Sequence, residues 1–540
     1  MRRNLLVAFT ALVVALSLGS CKSGDKSGLP IPKTAGLVLH INTPSLASKL
    51  TWEDIKNAGW FKEIYADATD TVAKELLNDP GASGINTDAD LVFFTSPRGK
   101  GGYAAFEGTL KDAAAFEAFN KKAEPTATTK KEGDITVFKG KENTIATWNG
   151  TQFIYIIDMP GMNMSSRYSG MSGYEPFPYD SLVTFAKELY TLKSSNSLAD
   201  DKKYAALIKE AGDIHMWFNA ETMLGNSLSD AMSMMKASVL FEGNITAASI
   251  SFDNGKIVMS TKSYYNDELK KVYEKYPMKN VDPAAFSRIP AENVVAAFAM
   301  NYPPDGLKDF MKVIGVDGFV NSFMGDLGYS VDEFVKANKG DILFTVSDLE
   351  VKTQTVTLPG EEEGTPGPTY TSTKPEFKAL FATSINDKPS FDKMIAAIKS
   401  KFGEDAERNP FGVTYALNDK WFAAGNNQAQ IDGFLAGSGS KQHTFISKIS
   451  GHPAGFYVDL QKIMQEFHKA DTDSISPTRQ ALAESLKMWE DIIVTGGEIK
   501  DGAREGTAVV NLVDKSANSL KQLNQYVDKM NTLSPKRRGF

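Results

Sequence analysis

The chain has 540 residues, 42% of them hydrophobic, and a formal net charge of -7. That length and apolar share supply enough core for two to four domains. A mildly acidic surface excludes a nucleic-acid binder that works by neutralising phosphates, and the short basic end Lys536-Arg537-Arg538, read as a solvated tail, does not change this.

Arg2 and Arg3 open a leader whose apolar run, Leu5 to Leu18, is too short to span a relaxed bilayer; Leu18-Gly19-Ser20-Cys21 closes it. The pattern resembles a bacterial lipoprotein signal. That resemblance implies that small Gly19 and Ser20 let a lipoprotein peptidase reach the bond, that the Cys21 thiol carries a diacylglycerol before cleavage, and that the mature chain begins at Cys21. Residues 1–20 are therefore expected to be a signal peptide, and Cys21 the lipidation site. Each buried methylene contributes roughly 0.8 kcal/mol, so a multiply acylated Cys21 is expected to hold the protein on a membrane. Loss of Arg2 and Arg3 takes the formal charge from -7 to -9, since residues 1–20 contain no acid. With the only cysteine acylated, disulfides, thiolate metal sites and cysteine nucleophiles are excluded. Lys22 to Gly28 is small and polar, and a flexible tether is expected over 21–35. Lys22 stands where inner-membrane lipoproteins often carry Asp, which favours the outer membrane. Which face of the membrane the body occupies is left open.

The body repeats itself. Leu37-Val-Leu-His-Ile-Asn42-Thr-Pro44 recurs as Val295-Ala-Ala-Phe-Ala-Met-Asn301-Tyr-Pro303, and Asp90-Leu-Val-Phe-Phe-Thr-Ser96 as Asp341-Ile-Leu-Phe-Thr-Val-Ser347. Tyr103-Ala-Ala-Phe-Glu-Gly-Thr109 leads towards Phe116 and Phe119, as Lys378-Ala-Leu-Phe-Ala-Thr-Ser384 leads towards Phe391 and Met394. Ile214-His-Met-Trp-Phe-Asn219 answers to Gly455-Phe-Tyr-Val-Asp459. Two insertions account for the drifting spacing: Met159 to Tyr179 in the first half, and the acidic hairpin tip Pro359 to Pro368, between alternating Thr/Val flanks, in the second. The expected fold is α+β: two tandem homologous halves, 36–285 and 286–540 with a boundary near Pro283 to Pro290, each a mainly antiparallel sheet covered on one face by helices. Asn149-Gly150, Asn254-Gly255 and Asn418-Asp419 mark tight hairpins. Asn42, Asn219, Asn301 and Asp459 are expected to cap helices. Long amphipathic helices are expected over Trp52 to Leu77, Thr222 to Lys236 and Gln461 to Met488.

Catalytic signatures are missing. His40, His215, His443, His452 and His468 include no pair three or four apart, so helical zinc-ligand spacing is absent. His40 and His215 lie in apolar strands, as satisfied core or edge residues. Neither a Gly-x-Ser-x-Gly elbow nor a phosphate-cradling Gly-x-x-x-x-Gly-Lys occurs. Ser438-Gly-Ser-Lys441 reads as a loop, and Asn86 to Asp90 as a turn into a strand, since Leu91 and Pro97 stand where a calcium loop needs Gly and Glu. No catalytic residue, metal site or cofactor is assigned. Met159, Met162, Met164, Tyr168, Met171, Tyr174, Phe177 and Tyr179 form the candidate ligand or partner loop. Thioethers select Cu(I) and rings stack on sugars or partner proteins, against the alternative of an insertion folded back on its own domain. Met232, Met234 and Met235 read as helix core filler. Asp70-Thr-Val, Asp180-Ser-Leu and Asp473-Ser-Ile resemble bacterial O-glycosylation sites.

The leader, the doubled half with its Asp-Ile/Leu-Leu/Val-Phe strand and the Asn-initiated helices resemble an uncharacterised family of Bacteroidota lipoproteins that carries domain of unknown function 4836. The resemblance covers nearly all of the chain after the leader and supplies no reaction. The expected protein is a non-enzymatic, outer-membrane-anchored envelope lipoprotein for binding, envelope assembly or scaffolding. Its expected partners are the membrane, through the N-terminal lipid, and an envelope protein or glycan; nucleic acid is not among them. The alternatives are a glycan or Cu(I) binder acting through 159–179, and a hydrolase of unrecognised type.

Overall fold

The computed structural model describes residues 28–533 apart from 100, 142, 161–175, 226–235, 360–365, 403–411, 440–442 and 474. The chain is α+β and divides into two compact units: the first runs to Asn266 and takes back Ala517–Thr532, and the second holds Asp267–Ser516. In the first, β1 (Leu37–Ile41), β2 (Leu91–Arg98), β3 (Gly101–Thr109), β4 (Thr128–Glu132), β5 (Ile135–Lys139), β6 (Thr144–Trp148), β7 (Gln152–Pro160), β8 (Ile214–Asn219), β9 (Ile245–Asp253) and β10 (Lys256–Tyr264) pair antiparallel. Their order is β4-β5-β6-β7-β3-β2-β1-β8-β9-β10. In the second, β11 (Val294–Asn301), β12 (Asn338–Pro359), β13 (Pro366–Ile385), β14 (Thr414–Leu417), β15 (Trp421–Gly425), β16 (Ala454–Asp459), β17 (Trp489–Lys500) and β18 (Ala503–Leu512) form the antiparallel order β14-β15-β13-β12-β11-β16-β17-β18. Without β4 and β5 the first order is the same as the second. The strands matched in sequence, β1 with β11, β2 with β12, β3 with β13 and β8 with β16, hold the same places.

The division differs from the expected boundary near Pro283 to Pro290. The helix Asp267–Lys275 belongs to the second unit, where Asp309 receives Lys275 Nζ at 2.7 Å and the Tyr276 hydroxyl at 3.0 Å. The expected tether also ends early. Leu29, Ile31 and Ala35 are buried, and Leu198 N donates to the Ile31 carbonyl, so the body begins at Leu29 rather than after residue 35.

All three Asn-Gly or Asn-Asp pairs lie at hairpin connections, β6–β7, β9–β10 and β14–β15. The flanks of the acidic tip pair from Glu350 with Glu376 to Thr357 with Thr369; residues 360–365 lie outside the described residues. The expected helix over Trp52 to Leu77 is three helices, Trp52–Asn57, Gly59–Asp67 and Thr71–Asn78: Ala58 turns to an extended backbone between the first two, and Asp70 caps the third. Gln461 to Met488 is likewise broken, into Leu460–Ala470 and Pro477–Met488, with Ser476 capping and Pro477 at the first helical position. Of Thr222 to Lys236, only Ala220–Leu224 is a described helix. Asn42, Asn219 and Asp459 accept amide hydrogens of the first helical turn as expected. Asn301 does not. Its side chain donates to the buried Asp341 at 2.8 Å, and the following helix starts at Pro304 without a side-chain cap.

The first sheet carries a core on each face, a correction to the one-sided covering expected. Alternate residues sort cleanly: Val38, Val92, Phe94, Tyr103, Ala105, Ile154 and Ile156 pack under the helices Tyr179–Tyr190 and Lys202–Leu207. Ile41, Leu91, Phe106 and Phe153 pack under the helices between residues 43 and 78 and Ala113–Ala123, the last of which contributes Phe116. The second sheet has one large core, built on Ala297, Ala299, Leu343, Leu380, Ala382 and Tyr457. On its other face, among the described residues, a small cluster forms where Phe391 of Lys388–Phe402 meets Phe422 and Ile385. Among the described residues no helix is long and apolar enough to cross a membrane.

Candidate functional site

Cys21, Met162, Met164, Tyr168, Met171 and Tyr174 lie outside the described residues, as do Met232, Met234 and Met235. Met159 is half-buried in β7, opposite Gly102. Phe177 packs edge-on against Phe185 at 5.4 Å, and the Tyr179 hydroxyl donates to the Gly140 carbonyl at 2.5 Å. Both rings therefore belong to the first core's periphery and do not stand as an exposed row. Thr71 is exposed beside its capping Asp70, Ser181 is half-buried and Ser474 is outside the described residues.

Two rows of side chains emerge only when strands are set in register. The first crosses the first sheet on the face under Tyr179–Tyr190: Thr147, Ile154, Glu107, Val92, His40, His215 and Ser249, each directly opposite the next. Thr147 and Glu107 are 0% exposed, His40 2% and His215 3%. His40 has partners: Nε2 lies 2.8 Å from Asp90 Oδ2, and Nδ1 3.4 Å from the Tyr204 hydroxyl. His215 sets Nε2 at 3.1 Å from the Glu210 carbonyl while Nδ1 is unpaired, and burial lowers its pKa. Among the described residues both carboxylate oxygens of Glu107 are without a partner, and burial alone raises its pKa well above the usual carboxylate range. Burial without a partner thus favours the protonated form of Glu107. Asp213 is equally buried but receives Ser45 Oγ, Lys49 Nζ and Phe252 N, each at 2.6 Å.

The equivalent row of the second sheet reads Ala416, Ala423, Ala382, Leu343, Ala299, Gly455 and Thr495. Glu107 is matched by Ala382, His40 by Ala299 and His215 by Gly455, where an added Cβ would stand 2.6 Å from Ile449 Cβ. The same strand order therefore forms without these polar groups. They are a property of the first unit, not a requirement of the fold. The row's polar side chains are buried; an open cleft of about 400 Å³ is lined by Leu29, Pro30, Leu189 and Tyr190, whose hydroxyl donates to the Thr147 carbonyl.

The second row lies on the opposite face of the second sheet: Tyr415, Ala424, Phe381, Phe344, Phe298, Phe456, Val494 and Ala508. Four phenylalanines thus stand side by side on adjacent strands. Phe381 is 37% exposed, Phe344 39%, Phe456 38% and Val494 37%. In the first sheet the corresponding residues are Tyr155, Phe106, Phe93, Leu39, Met216 and Ala248, and Phe106 there is 1% exposed under helices. The neighbouring outward positions Ala296, Met300, Ile342, Val346, Val458 and Ile492 are apolar too. The second unit also leaves Phe319 at 70% and Phe323 at 50% exposure on the helix Asp317–Asp326, which buries no residue. The four row phenylalanines lie in four separate strand-like runs of the sequence, and only the pairing register joins them.

Among the described residues no three His, Cys, Asp or Glu gather as metal ligands. The geometry defines an α+β protein whose two units each carry an antiparallel set of strands, with a buried polar row in the first and an exposed aromatic row in the second. The family model for a domain of unknown function, DUF4836, matches residues 30–358, more than half of the chain, and the chain belongs to that family. No curated protein matches it. A solved structure described as "Structure of crystal form III of TP0453" is 8% identical, over 48% of this chain and 90% of that one, at a TM-score of 0.25.

Proposed function

We propose that the chain is a lipid-anchored, outer-membrane envelope protein of a Bacteroidota lipoprotein type, non-enzymatic, that uses the open aromatic face of its second unit for binding or scaffolding. The observation that supports this reading is the row Phe381-Phe344-Phe298-Phe456, flanked mainly by apolar positions, in which Phe381, Phe344 and Phe456 are 37–39% exposed where Phe106 of the first unit is 1% exposed. Contiguous exposed apolar surface on a soluble body is a mark of an interaction site. The leader and Cys21 support the anchor. Because the body starts at Leu29, only the seven residues Lys22–Gly28 separate it from the lipidated position. Fully extended they reach roughly 25 Å, which keeps the first unit against the lipid surface.

The test is the mass of the N-terminal peptide from the membrane fraction. It should begin at Cys21 and carry acyl chains, and Cys21→Ser should move the protein into the soluble fraction. An unmodified Cys21 in membrane-bound protein would overturn the anchor.

A further inference from the structure

We infer that the open row of the second sheet docks an amphipathic helix of a partner protein, laid across the strands; this rests on the binding role proposed above. The outward side chains of five adjacent strands, from Phe381 on β13 to Val494 on β17, span roughly 19 Å at ordinary strand spacing, and the flanking positions widen the surface on both sides. A helix with its side chains is about 10 Å across, so this floor accommodates one helix at a length of three to four turns. The surface is a sheet face without a charged or hydrogen-bonding side chain along the row from Phe381 to Val494, so it selects an apolar stripe and lacks the polar groups that would hold a headgroup or fix a sugar's hydroxyls. A small apolar ligand needs concave walls that bury most of its surface, and a sheet face supplies a floor alone.

The first unit shows what this geometry takes. There the same register row is covered by helices, with the Phe116 ring of Ala113–Ala123 at 5.3 Å from Phe153 and 5.6 Å from Tyr155. The second unit repeats only the edge of that covering, Phe391 on Phe422 at 5.6 Å. Its remaining helices before β12 contribute Ala337 alone to that face's cluster. Among the described residues Phe381, Phe344 and Phe456 stay 37–39% exposed where the first unit buries Phe106 to 1%, so the row is an incompletely covered version of a helix-binding face whose covered version stands in the same chain.

The test uses the chain from position 21 onward with Cys21→Ser, so that no acyl group competes. The probe is a labelled synthetic amphipathic helix of 18 residues with one leucine stripe, beside a peptide of the same composition whose leucines are scattered. Anisotropy should show saturable binding of the striped peptide, weakened about tenfold or more by the paired substitution Phe344→Thr and Phe456→Thr, and no binding of the scattered one. Threonine suits an exposed strand position, and an unchanged circular dichroism spectrum and melting temperature would establish that the variant folds. Equal binding of both peptides, or binding indifferent to the paired substitution, would overturn the proposal. So would co-sedimentation with phosphatidylcholine vesicles, or a dimer in sedimentation analysis, that the same substitutions abolish: the occupant would then be lipid or a second copy. Because the chain carries no lipid here, failure of this test leaves the Cys21 peptide mass to decide the anchor separately.

Discussion

At the scale of single residues, Glu107 and His215 set opposite limits on stability. Facing or near Glu107 are His40, Asp90, Tyr190, Tyr204 and His215, none of which bonds its carboxyl. A carboxyl whose folded pKa lies above its unfolded value of about 4.3 contributes its full stability only below that value. The contribution is then lost as pH rises towards the folded pKa, at about 1.4 kcal/mol per pH unit. His215 works the other way: its lowered folded pKa, caused first by burial, gives stability that is complete above about pH 6.5 and lost as pH falls. We expect Glu107→Gln to flatten the alkaline side of the stability profile, so that urea unfolding at pH 8.5 shows the variant more stable than the parent while the two agree near pH 4.5. His215→Gln should flatten the acid side instead. An unaltered slope for Glu107→Gln would mean the acid is solvated or paired after all.

At the scale of elements, the sequence was legible where a pattern is local. Alternation located the strands, Asn-Gly pairs located the hairpins, and three of the four proposed caps are caps. Asn301 was misread because its role depends on Asp341, forty residues away, and nothing in Met-Asn-Tyr-Pro reports that distance. The long helices were overextended for the opposite reason: Asp70 and Pro477 were visible stop-and-start signals outweighed by apolar periodicity. Neither row was legible, because each is a register across six or more strands while a single sequence shows only one strand at a time. The one local hint was Glu107 itself, a carboxylate in a strand with no polar alternation. Caps and buried pairs differ in cost, which separates the two kinds of Asn. Asn219→Ala should lower stability by about 1 kcal/mol, the loss of one cap. Asn301→Ala should cost more, about 2–3 kcal/mol, by removing a donor from Asp341 at 4% exposure. Equal costs by chemical denaturation would show that Asp341 is satisfied without Asn301.

At the scale of the whole molecule, each sheet ends in a helix that belongs to the other unit. After β10 the helix Asp267–Lys275 joins the second unit, and after β18 the helix Ser519–Leu533 has all but its last residue in the first. The expected tandem boundary could not show this, since it assumes that each half keeps its own chain. The returning helix is tied in firmly: Trp60 Nε1 donates to Asn524 Oδ1 and Trp60 N to Asp528 Oδ1, both at 2.9 Å, Asn518 Nδ2 donates to the Phe252 carbonyl at 2.8 Å, and Leu520 packs on the core that holds Phe61. Ending the chain at Ser516 removes those bonds, each worth about 1 kcal/mol, together with the leucine burial, about 2 kcal/mol. The loss falls on the first unit. Hydrogen exchange should therefore quicken about a hundredfold in Gly59–Asp67 and around Phe252, while peptides from β12 and β13 keep the parent rate. Uniform acceleration through both units would instead mean that the chain unfolds as one cooperative body, and the exchanged helices would be the reason.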